Sequence, residues 1–114
     1  MTLIYKIAPK NLWDEAVAQG AFTGAPVDLA DGYIHFSTAE QARETAAKHF
    51  VDQSDLVLAV IEAEHLGDKL KWEPSRGGAL FPHLYRALRI DEVLSVHPLP
   101  LKSDGTHDFG DHLK

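Results

Sequence analysis

The chain has 114 residues, of which 45% are hydrophobic and 25% are charged, and it contains no cysteine. This length fits one domain, and the apolar fraction is that of an ordinary globular protein rather than a disordered one. The lack of cysteine excludes disulfides, thiolate nucleophiles, iron–sulfur clusters and zinc sites built on cysteine. The longest apolar run, Leu56–Ile61, is far shorter than the roughly 20 residues of a membrane-spanning helix, and the first residues do not resemble a secretory signal. We therefore expect a cytoplasmic protein without a membrane partner.

The net charge of −6 argues against nucleic acid as a partner. The charge is unevenly distributed, because residues 69–90 contain five basic side chains and a single acidic one, Glu73. A basic segment within an acidic protein suits a small anionic ligand, and it equally suits ion pairs with acidic neighbours in the fold. The oligomeric state stays open.

The first predicted elements are a strand and a helix. Leu3–Ile7 alternates with the two-residue period of a strand, and Pro9 ends it. Asn11 is a candidate N-cap for a helix over residues 11–19, whose apolar positions form one stripe, and Gly20 is the expected C-terminal stop.

A second strand and helix follow two predicted turns, at residues 23–26 and 31–32. The pattern over residues 33–37 predicts a strand with Tyr33, His35 and Ser37 on one face. An alanine-rich helix follows at once, which suggests close packing on a sheet.

The junction between this strand and helix is a candidate ligand site. A capping box is predicted there, formed by Ser37 with Glu40 or by Thr38 with Gln41. Oxygens and backbone N–H groups at such a junction favour a phosphate or another anion, so His35, Ser37 and Thr38 are candidate ligand-binding residues. Capping alone would also explain Ser37 and Thr38, and His35 could be a strand histidine bonded to a neighbour.

Strands dominate the second half of the chain. Leu56–Ile61 is continuous, apolar and rich in β-branched residues, which predicts a central strand covered on both faces. Leu70–Trp72 and Val93–His97 predict two further strands, and residues 74–82 predict a loop because they contain two prolines and a glycine pair.

The order of elements indicates an α+β fold in one domain over residues 1–101. Residues 102–114 form a polar C-terminal tail that we expect to be loosely held. His107 and His112 lie in this tail beside aspartates, but no rigid element holds them, so we expect no metal site.

Candidate site residues concentrate between residues 71 and 86. Trp72 and Tyr85 offer flat rings on which a base could stack, although Trp72 is equally typical of a core. Arg76 and Arg86 could hold phosphates in a fork.

Two more residues of this segment carry acid–base chemistry. Glu73 could accept hydrogen bonds from ribose hydroxyls or stabilise developing positive charge, and His83 is a candidate acid, base or polar contact. No nucleophile elbow and no glycine-rich phosphate loop occurs, so the sequence does not indicate a serine hydrolase, an ATPase or a Rossmann dehydrogenase.

Four blocks in order resemble the family called domain of unknown function 952, whose members are small bacterial proteins. The blocks are Ile4–Ile7, Asp31–Thr38, Lys71–Glu73 and Phe81–Tyr85. The resemblance extends over residues 3 to about 100.

A more distant resemblance implies a mechanism. Residues 34–37 and the alanine-rich helix are similar to the corresponding strand and helix of RNA 2′-phosphotransferases and poly-ADP-ribose polymerases. Those proteins share the ADP-ribosyltransferase fold, a split β-sandwich that binds NAD in a central cleft. The resemblance implies an ADP-ribosyltransferase-like split β-sandwich with two main helices. It also implies that His35, Ser37 and Thr38 line the cleft, with Glu73 and Tyr85 on its other wall.

The sequence departs from that pattern at two places. The first strand of those enzymes usually carries a His-Gly or an Arg that holds the NAD ribose, and Lys6-Ile7 stands there in this chain. Glu92 occupies the order of their late catalytic glutamate but has different surroundings.

Two hypotheses from different classes follow. In the first, the protein is an enzyme that transfers or hydrolyses at the nicotinamide–ribose bond, with NAD or ADP-ribose as the ligand and no certain cofactor. Glu73 would then stabilise the oxocarbenium-like state, and His35 and Tyr85 would orient it. In the second, the same cleft belongs to a non-catalytic module that binds a small ligand, or the surface meets a protein partner.

Overall fold

The structure, a computed structural model, describes residues 1–113 and every side chain among them except that of Arg76. The α-helices of this part of the chain are α1 (Lys10–Gln19), α2 (Pro26–Asp31) and α3 (Ala39–His49). The strands are β1 (Leu3–Pro9), β2 (Ala21–Phe22), β3 (Ile34–His35), β4 (Leu56–Glu62), β5 (Leu70–Pro74), β6 (Leu80–Leu84), β7 (Leu88–Arg89) and β8 (Val93–Leu99). Short 3₁₀ segments lie at Ala63–Lys69, Arg76–Gly78 and Ile90–Glu92.

The strands form two three-stranded antiparallel sheets, in the orders β1-β4-β8 and β3-β6-β5, while β2 pairs with β7. The two larger sheets meet at one bridge, where Tyr5 and Ser37 exchange backbone hydrogen bonds of 2.8 and 2.9 Å. The α+β class is therefore confirmed. None of the helices that the structure describes is long and apolar enough to cross a membrane.

Both faces of β4 are buried, as its continuous apolar sequence predicts. Alternate residues point to opposite faces of a strand, so β4 contributes to two core clusters. Ile61 belongs to the cluster that includes Trp13 of α1, and Leu58 belongs to the cluster that includes Ala42 of α3. The first sheet thus forms the centre of the molecule, between α1 and α3.

The start of α1 differs from the prediction. The helix begins at Lys10 with Pro9 as its N-cap residue, so the prediction of Asn11 as the N-cap is wrong. Its end is confirmed, because Gly20 has a φ of 87° and donates its N–H to the carbonyl of Ala16.

Helix α2 occupies a region where the sequence predicts only turns. Proline at the first helical position is favourable because its fixed φ suits a helix and its missing N–H is not needed there. The carboxylate of Asp28 accepts a hydrogen bond of 2.8 Å from the N–H of Ala25 and so caps the helix start. Pro26-Val27-Asp28 therefore begins a helix, although the neighbouring glycine and proline residues are typical of turns.

The prediction of a loop over residues 74–82 is wrong at its end, because β6 begins at Leu80 and Pro82 lies in the centre of a sheet. The carbonyl of Pro82 accepts the N–H of Phe36 at 3.0 Å, but a proline has no N–H to donate in return. Pairing between β3 and β6 accordingly ends at His35, and the predicted strand over residues 33–37 is shortened to two residues.

The C-terminal tail is held more firmly than predicted. Phe109 is 2% exposed and packs in the core cluster that contains Leu58. His107 is also buried, and its Nε2 lies 2.9 Å from the carbonyl oxygen of Gln53. The expectation of a loosely held tail is therefore wrong at these residues, since burial of Phe109 anchors the segment.

Candidate functional site

A cleft of about 480 Å³ opens between β1 of the first sheet and β3 and β6 of the second. Helices α2 and α3 contribute further walls. Its volume lies in the range of about 300–1,000 Å³ that small-molecule sites occupy. The polar residues that line it include Lys6, Asp31, Tyr33, His35, Ser37 and His83.

Lys6, Asp28 and His35 form a bonded group, here called the inner cluster, of which Lys6 and His35 line this cleft. The Lys6 ammonium lies 3.1 and 2.9 Å from the two carboxylate oxygens of Asp28, and it donates to the backbone carbonyl of His35 at 3.0 Å. Asp28 also accepts from the backbone N–H of His35 at 3.1 Å, and Nδ1 of that ring lies 2.6 Å away. Asp28 thereby fixes both the backbone and the ring of His35.

The inner cluster is an ion pair inside the protein, because Lys6 is 4% and Asp28 is 2% exposed. Burial by itself raises the pKa of Asp28, but the hydrogen bond from His35 and the charge of Lys6 outweigh it and lower the pKa to about 2. Burial lowers the pKa of Lys6, and the charge of Asp28 opposes that change. Neither ion would be stable at this depth without the other.

His35 makes a second contact with a carboxylate. Its Nε2 lies 2.9 Å from an oxygen of Asp31, whose side chain is 46% exposed at the end of α2. An ionised carboxylate only accepts hydrogen bonds, so both ring nitrogens of His35 must carry hydrogen for both contacts to be made. The ring of His35 thus lies between two aspartates, and only a ring with hydrogen on both nitrogens donates to both of them.

Strand register brings His35 next to the segment that contains Glu73. His35 is paired with His83 on β6, and Glu73 is paired with Phe81, two residues before His83. Paired residues and residues two apart share one face of a sheet, so these side chains project from the same side. The ring centroids of His35 and His83 are 5.5 Å apart.

Glu73, His83 and Tyr85 form a second bonded group, here called the outer cluster. Nδ1 of His83 lies 2.8 Å from Oε1 of Glu73, and the Tyr85 hydroxyl donates to the same oxygen at 2.7 Å. The bond to Tyr85 and then the bond to His83 lower the pKa of Glu73. The same bond to Glu73 raises the pKa of Tyr85 to about 12. Glu73 is therefore ionised and Tyr85 neutral at physiological pH.

The outer cluster also fixes the tautomer of His83. An ionised Glu73 requires a hydrogen on Nδ1, which leaves Nε2 of the neutral ring with a lone pair. His83 is 3% exposed and lines the cleft, and among the described residues no hydrogen-bond partner is found for its Nε2. This nitrogen is consequently a candidate proton acceptor for a ligand in the cleft.

Tyr33 connects the inner and outer clusters. Its ring stacks on His83 with centroids 4.2 Å apart, and it also lies 4.7 Å from the ring of His35 and 5.2 Å from that of Tyr85. The structure therefore joins His35, Glu73, His83 and Tyr85, four of the residues proposed from the sequence, in one assembly. His35 and His83 line the cleft, and Glu73 and Tyr85 are bonded to each other next to His83.

Ser37 and Thr38 lie at the start of α3. Ser37 is buried, lines the cleft and shares a hydrogen bond of 2.9 Å with the hydroxyl of Thr45. Of the two predicted capping boxes, the one made by Thr38 and Gln41 is confirmed, because Gln41 accepts the N–H of Thr38 at 3.0 Å. A role of either hydroxyl in ligand binding stays a prediction.

Two other residues proposed from the sequence, Arg86 and Trp72, have different surroundings. Arg86 donates to both carboxylate oxygens of Glu92 at 2.9 and 2.8 Å and to the carbonyl of Leu66 at 3.0 Å. Trp72 alternates with Glu73 along β5, so it projects from the opposite face of the sheet, where it is 41% exposed. The side chain of Arg76 lies outside the described residues. Ligand contacts by these three residues stay predictions.

Sequence reasoning missed Lys6, Asp28 and Asp31 as site residues. A lysine in the middle of an apolar strand is a usable signal, because a buried ammonium requires an acidic partner. The acidic partner could not be identified from sequence, because Asp28 lies in α2, a helix that the sequence pattern did not predict.

The comparisons with known proteins agree with the first resemblance. The model of the family described as "Protein of unknown function (DUF952)" matches residues 7–96. The chain belongs to this family. The match includes Asp28, His35, Glu73, His83 and Tyr85, so both clusters except Lys6 lie within it. No curated protein matches the chain.

Solved structures of a similar protein exist. The crystal structure of protein CC0527 from Caulobacter crescentus is 60% identical to this DUF952 chain, covers 98% of each chain and has a TM-score of 0.95. The solution NMR structure of CC0527 is also 60% identical, covers 99% of this chain and 97% of that one, and has a TM-score of 0.88. The fold is therefore shared with that protein.

Proposed function

We propose that the cleft binds a nucleotide-like ligand with an anionic group, of the NAD or ADP-ribose type, in an ADP-ribosyltransferase-like split β-sandwich. The observation that carries this proposal is that His35 and His83 line one cleft and that Glu73, which also accepts from Tyr85, is bonded directly to His83. Two sheets that meet at a single bridge, with a cleft between β1 and β3, are consistent with such a sandwich. The cleft volume of about 480 Å³ suits a ligand of this size class.

The chemistry we propose is transfer or hydrolysis at the nicotinamide–ribose bond. Breaking the C1′–N bond sends its electron pair to the nicotinamide nitrogen and leaves positive charge on C1′ and the ring oxygen. The ionised carboxylate of Glu73 would stabilise that charge, while Tyr85 and His83 hold the carboxylate in place. A water or an acceptor hydroxyl then forms the C1′–O bond and gives its proton to Nε2 of His83.

The test is a thermal-shift titration with NAD, ADP-ribose and nicotinamide, followed by an assay for nicotinamide release. A ligand at a hundred times its dissociation constant stabilises the native state by about 2.7 kcal/mol, which raises the melting temperature by several degrees for a domain of this size. We expect Glu73→Gln to keep binding and to lower turnover roughly 100-fold or more. The matched control is Glu15→Gln, which makes the same change at an exposed position of α1. A flat response to all three compounds would refute the nucleotide assignment.

A second candidate, a non-catalytic binding module, is favoured by a specific observation. The residue of the first strand that would hold the NAD ribose, Lys6, is buried in its ion pair with Asp28. The late glutamate, Glu92, is bound by both terminal guanidinium nitrogens of Arg86. Two groups that such enzymes use are thus already occupied. Binding of ADP-ribose without release of nicotinamide from NAD would favour the module over the enzyme.

A further inference from the structure

Asp28 and Asp31 both contact His35, but their surroundings differ. Asp28 is buried and accepts from Lys6, Ala25 and both the backbone and the ring of His35. Asp31 contacts Nε2 of His35 from the cleft wall, with nearly half of its side chain in solvent. One carboxylate is therefore fixed, while the other is held by a single exposed ion pair.

The charges show what the exposed carboxylate does. With hydrogen on both nitrogens of His35, as donation to both aspartates requires, Lys6, Asp28 and His35 together carry one net positive charge, and Asp31 neutralises it from the side that faces the cleft. We propose that the carboxylate of Asp31 occupies the anion position of the cleft, and that a phosphate or carboxylate group of the ligand replaces it at Nε2 of His35. This inference rests on the proposed function, because it assigns the place of the ligand's anionic group.

The replacement is energetically inexpensive at this position. An exposed ion pair contributes little to stability, so Asp31 can turn away without disturbing the buried bonds of Asp28. His35 offers its Nε2–H in a fixed direction, because Asp28 holds the opposite side of the ring at 2.6 Å. Asp31 is accordingly a specificity-determining residue, since it excludes any anion that binds His35 more weakly than its own carboxylate does.

The test compares binding of ADP-ribose and of inorganic phosphate to the wild type and to Asp31→Ala. We expect the variant to bind both anions about two- to fivefold more tightly, on the scale of one exposed ion pair. The matched control is Asp14→Ala, which removes a carboxylate from another exposed pair, four residues from Lys10 on α1, and should leave both affinities unchanged. Tighter binding of both anions would support the inference. Tighter binding of phosphate alone would show an anion position that the nucleotide does not use, which would overturn it.

Failure of the inference and failure of the proposed function are distinguishable. If the wild type binds ADP-ribose and Asp31→Ala binds it equally or less well, the inference is overturned and the proposed function stands. If neither protein binds ADP-ribose, the proposed function is refuted. The inference about Asp31 is then tested by nitrogen NMR of the His35 ring. Hydrogen on both ring nitrogens, with a change at Nε2 when phosphate is added to Asp31→Ala, supports it. A ring with one protonated nitrogen at neutral pH overturns it.

Discussion

The inner and outer clusters use the same kinds of side chain in opposite ways. Asp28 of the inner cluster is 2% exposed and is bonded by an ammonium, an imidazole ring and two backbone N–H groups. Glu73 of the outer cluster accepts two bonds from described side chains, both on Oε1, and its side chain is 38% exposed. The first carboxylate is bonded on all sides within the protein, whereas the second stays partly exposed to solvent.

This difference separates the energetics of folding from those of the site. Removing one member of a buried ion pair leaves the other charge without compensation, and this is among the most destabilising changes known for single residues. Removing a carboxylate near solvent exposes its partners to water, which satisfies them. Substitutions in the inner cluster should therefore reduce the stability of the fold strongly. Substitutions in the outer cluster should change stability little and ligand binding more.

The largest effect is expected for Asp28→Ala. The variant leaves the Lys6 ammonium without its counter-ion and the N–H groups of Ala25 and His35 without their acceptor, so the free energy of unfolding should fall by about 3–5 kcal/mol. Chemical denaturation followed by circular dichroism measures this loss.

The double variant Lys6→Met/Asp28→Leu is the control for Asp28→Ala. It removes both charges and should recover part of the loss, because an apolar pair needs no charge compensation. Recovery should stay incomplete, since the two N–H groups still lack their acceptor. A stability of Asp28→Ala equal to that of the wild type would contradict the ion-pair assignment.

The contribution of the same carboxylate should also appear in the acid dependence of the unfolding free energy, with a smaller effect. The pKa of Asp28 is lowered from 3.8 to about 2 in the folded protein, so this group stabilises the fold above pH 3.8 and loses that contribution as the pH falls to about 2. A shift of this size corresponds to about 2 kcal/mol. We expect the unfolding free energy of the wild type to decrease over this window more steeply than that of Asp28→Asn. Asp14→Asn should follow the wild type, and parallel curves for wild type and Asp28→Asn would contradict the assignment.

One part of the candidate site was predictable from sequence, and another part was not. The alternation of residues 33–37 placed Tyr33, His35 and Ser37 on one face, and all three line the cleft. The juxtaposition of His35 and Glu73 could not be predicted, because it depends on pairing between β3, β6 and β5, and one of these strands lies partly in a predicted loop. Pro82 concealed that strand, since proline is normally excluded from the centre of a sheet.

The core was more predictable than the site for a physical reason. Six consecutive apolar residues, three of them β-branched, are typical of a strand that is buried on both faces, so the run Leu56–Ile61 predicts the position of β4. Polar residues such as Asp28 and Asp31 have several stable environments, and the choice between burial and exposure is made by partners distant in sequence.

A much smaller effect on folding is expected for Glu73→Gln. Glutamine can still accept from the Tyr85 hydroxyl and the His83 ring, and the site faces solvent. The unfolding midpoint should therefore change little, while binding of ADP-ribose and turnover of NAD are measured on the same preparation. A loss of stability as large as that of Asp28→Ala would show that the outer cluster is structural, which would remove the contrast between the two groups.

The smallest expected effect is a change in the pKa of the Tyr85 hydroxyl. Its hydrogen bond to Glu73, followed by partial burial and the charge of Glu73, raises the pKa of Tyr85 to about 12. Because the folded pKa lies above the ordinary 10.0, this contribution to stability is present below pH 10.0 and is lost as the pH rises to about 12. In Glu73→Gln the charge is gone while the amide oxygen can still accept the hydrogen bond, so the pKa of Tyr85 should fall part of the way toward its ordinary value. Ultraviolet absorbance of the phenolate, with Tyr85→Phe to identify the signal among the three tyrosines, measures the change. An unchanged titration in Glu73→Gln would mean that Glu73 does not hold Tyr85 in solution, and the outer cluster would then lack the fixed geometry that the proposed chemistry requires.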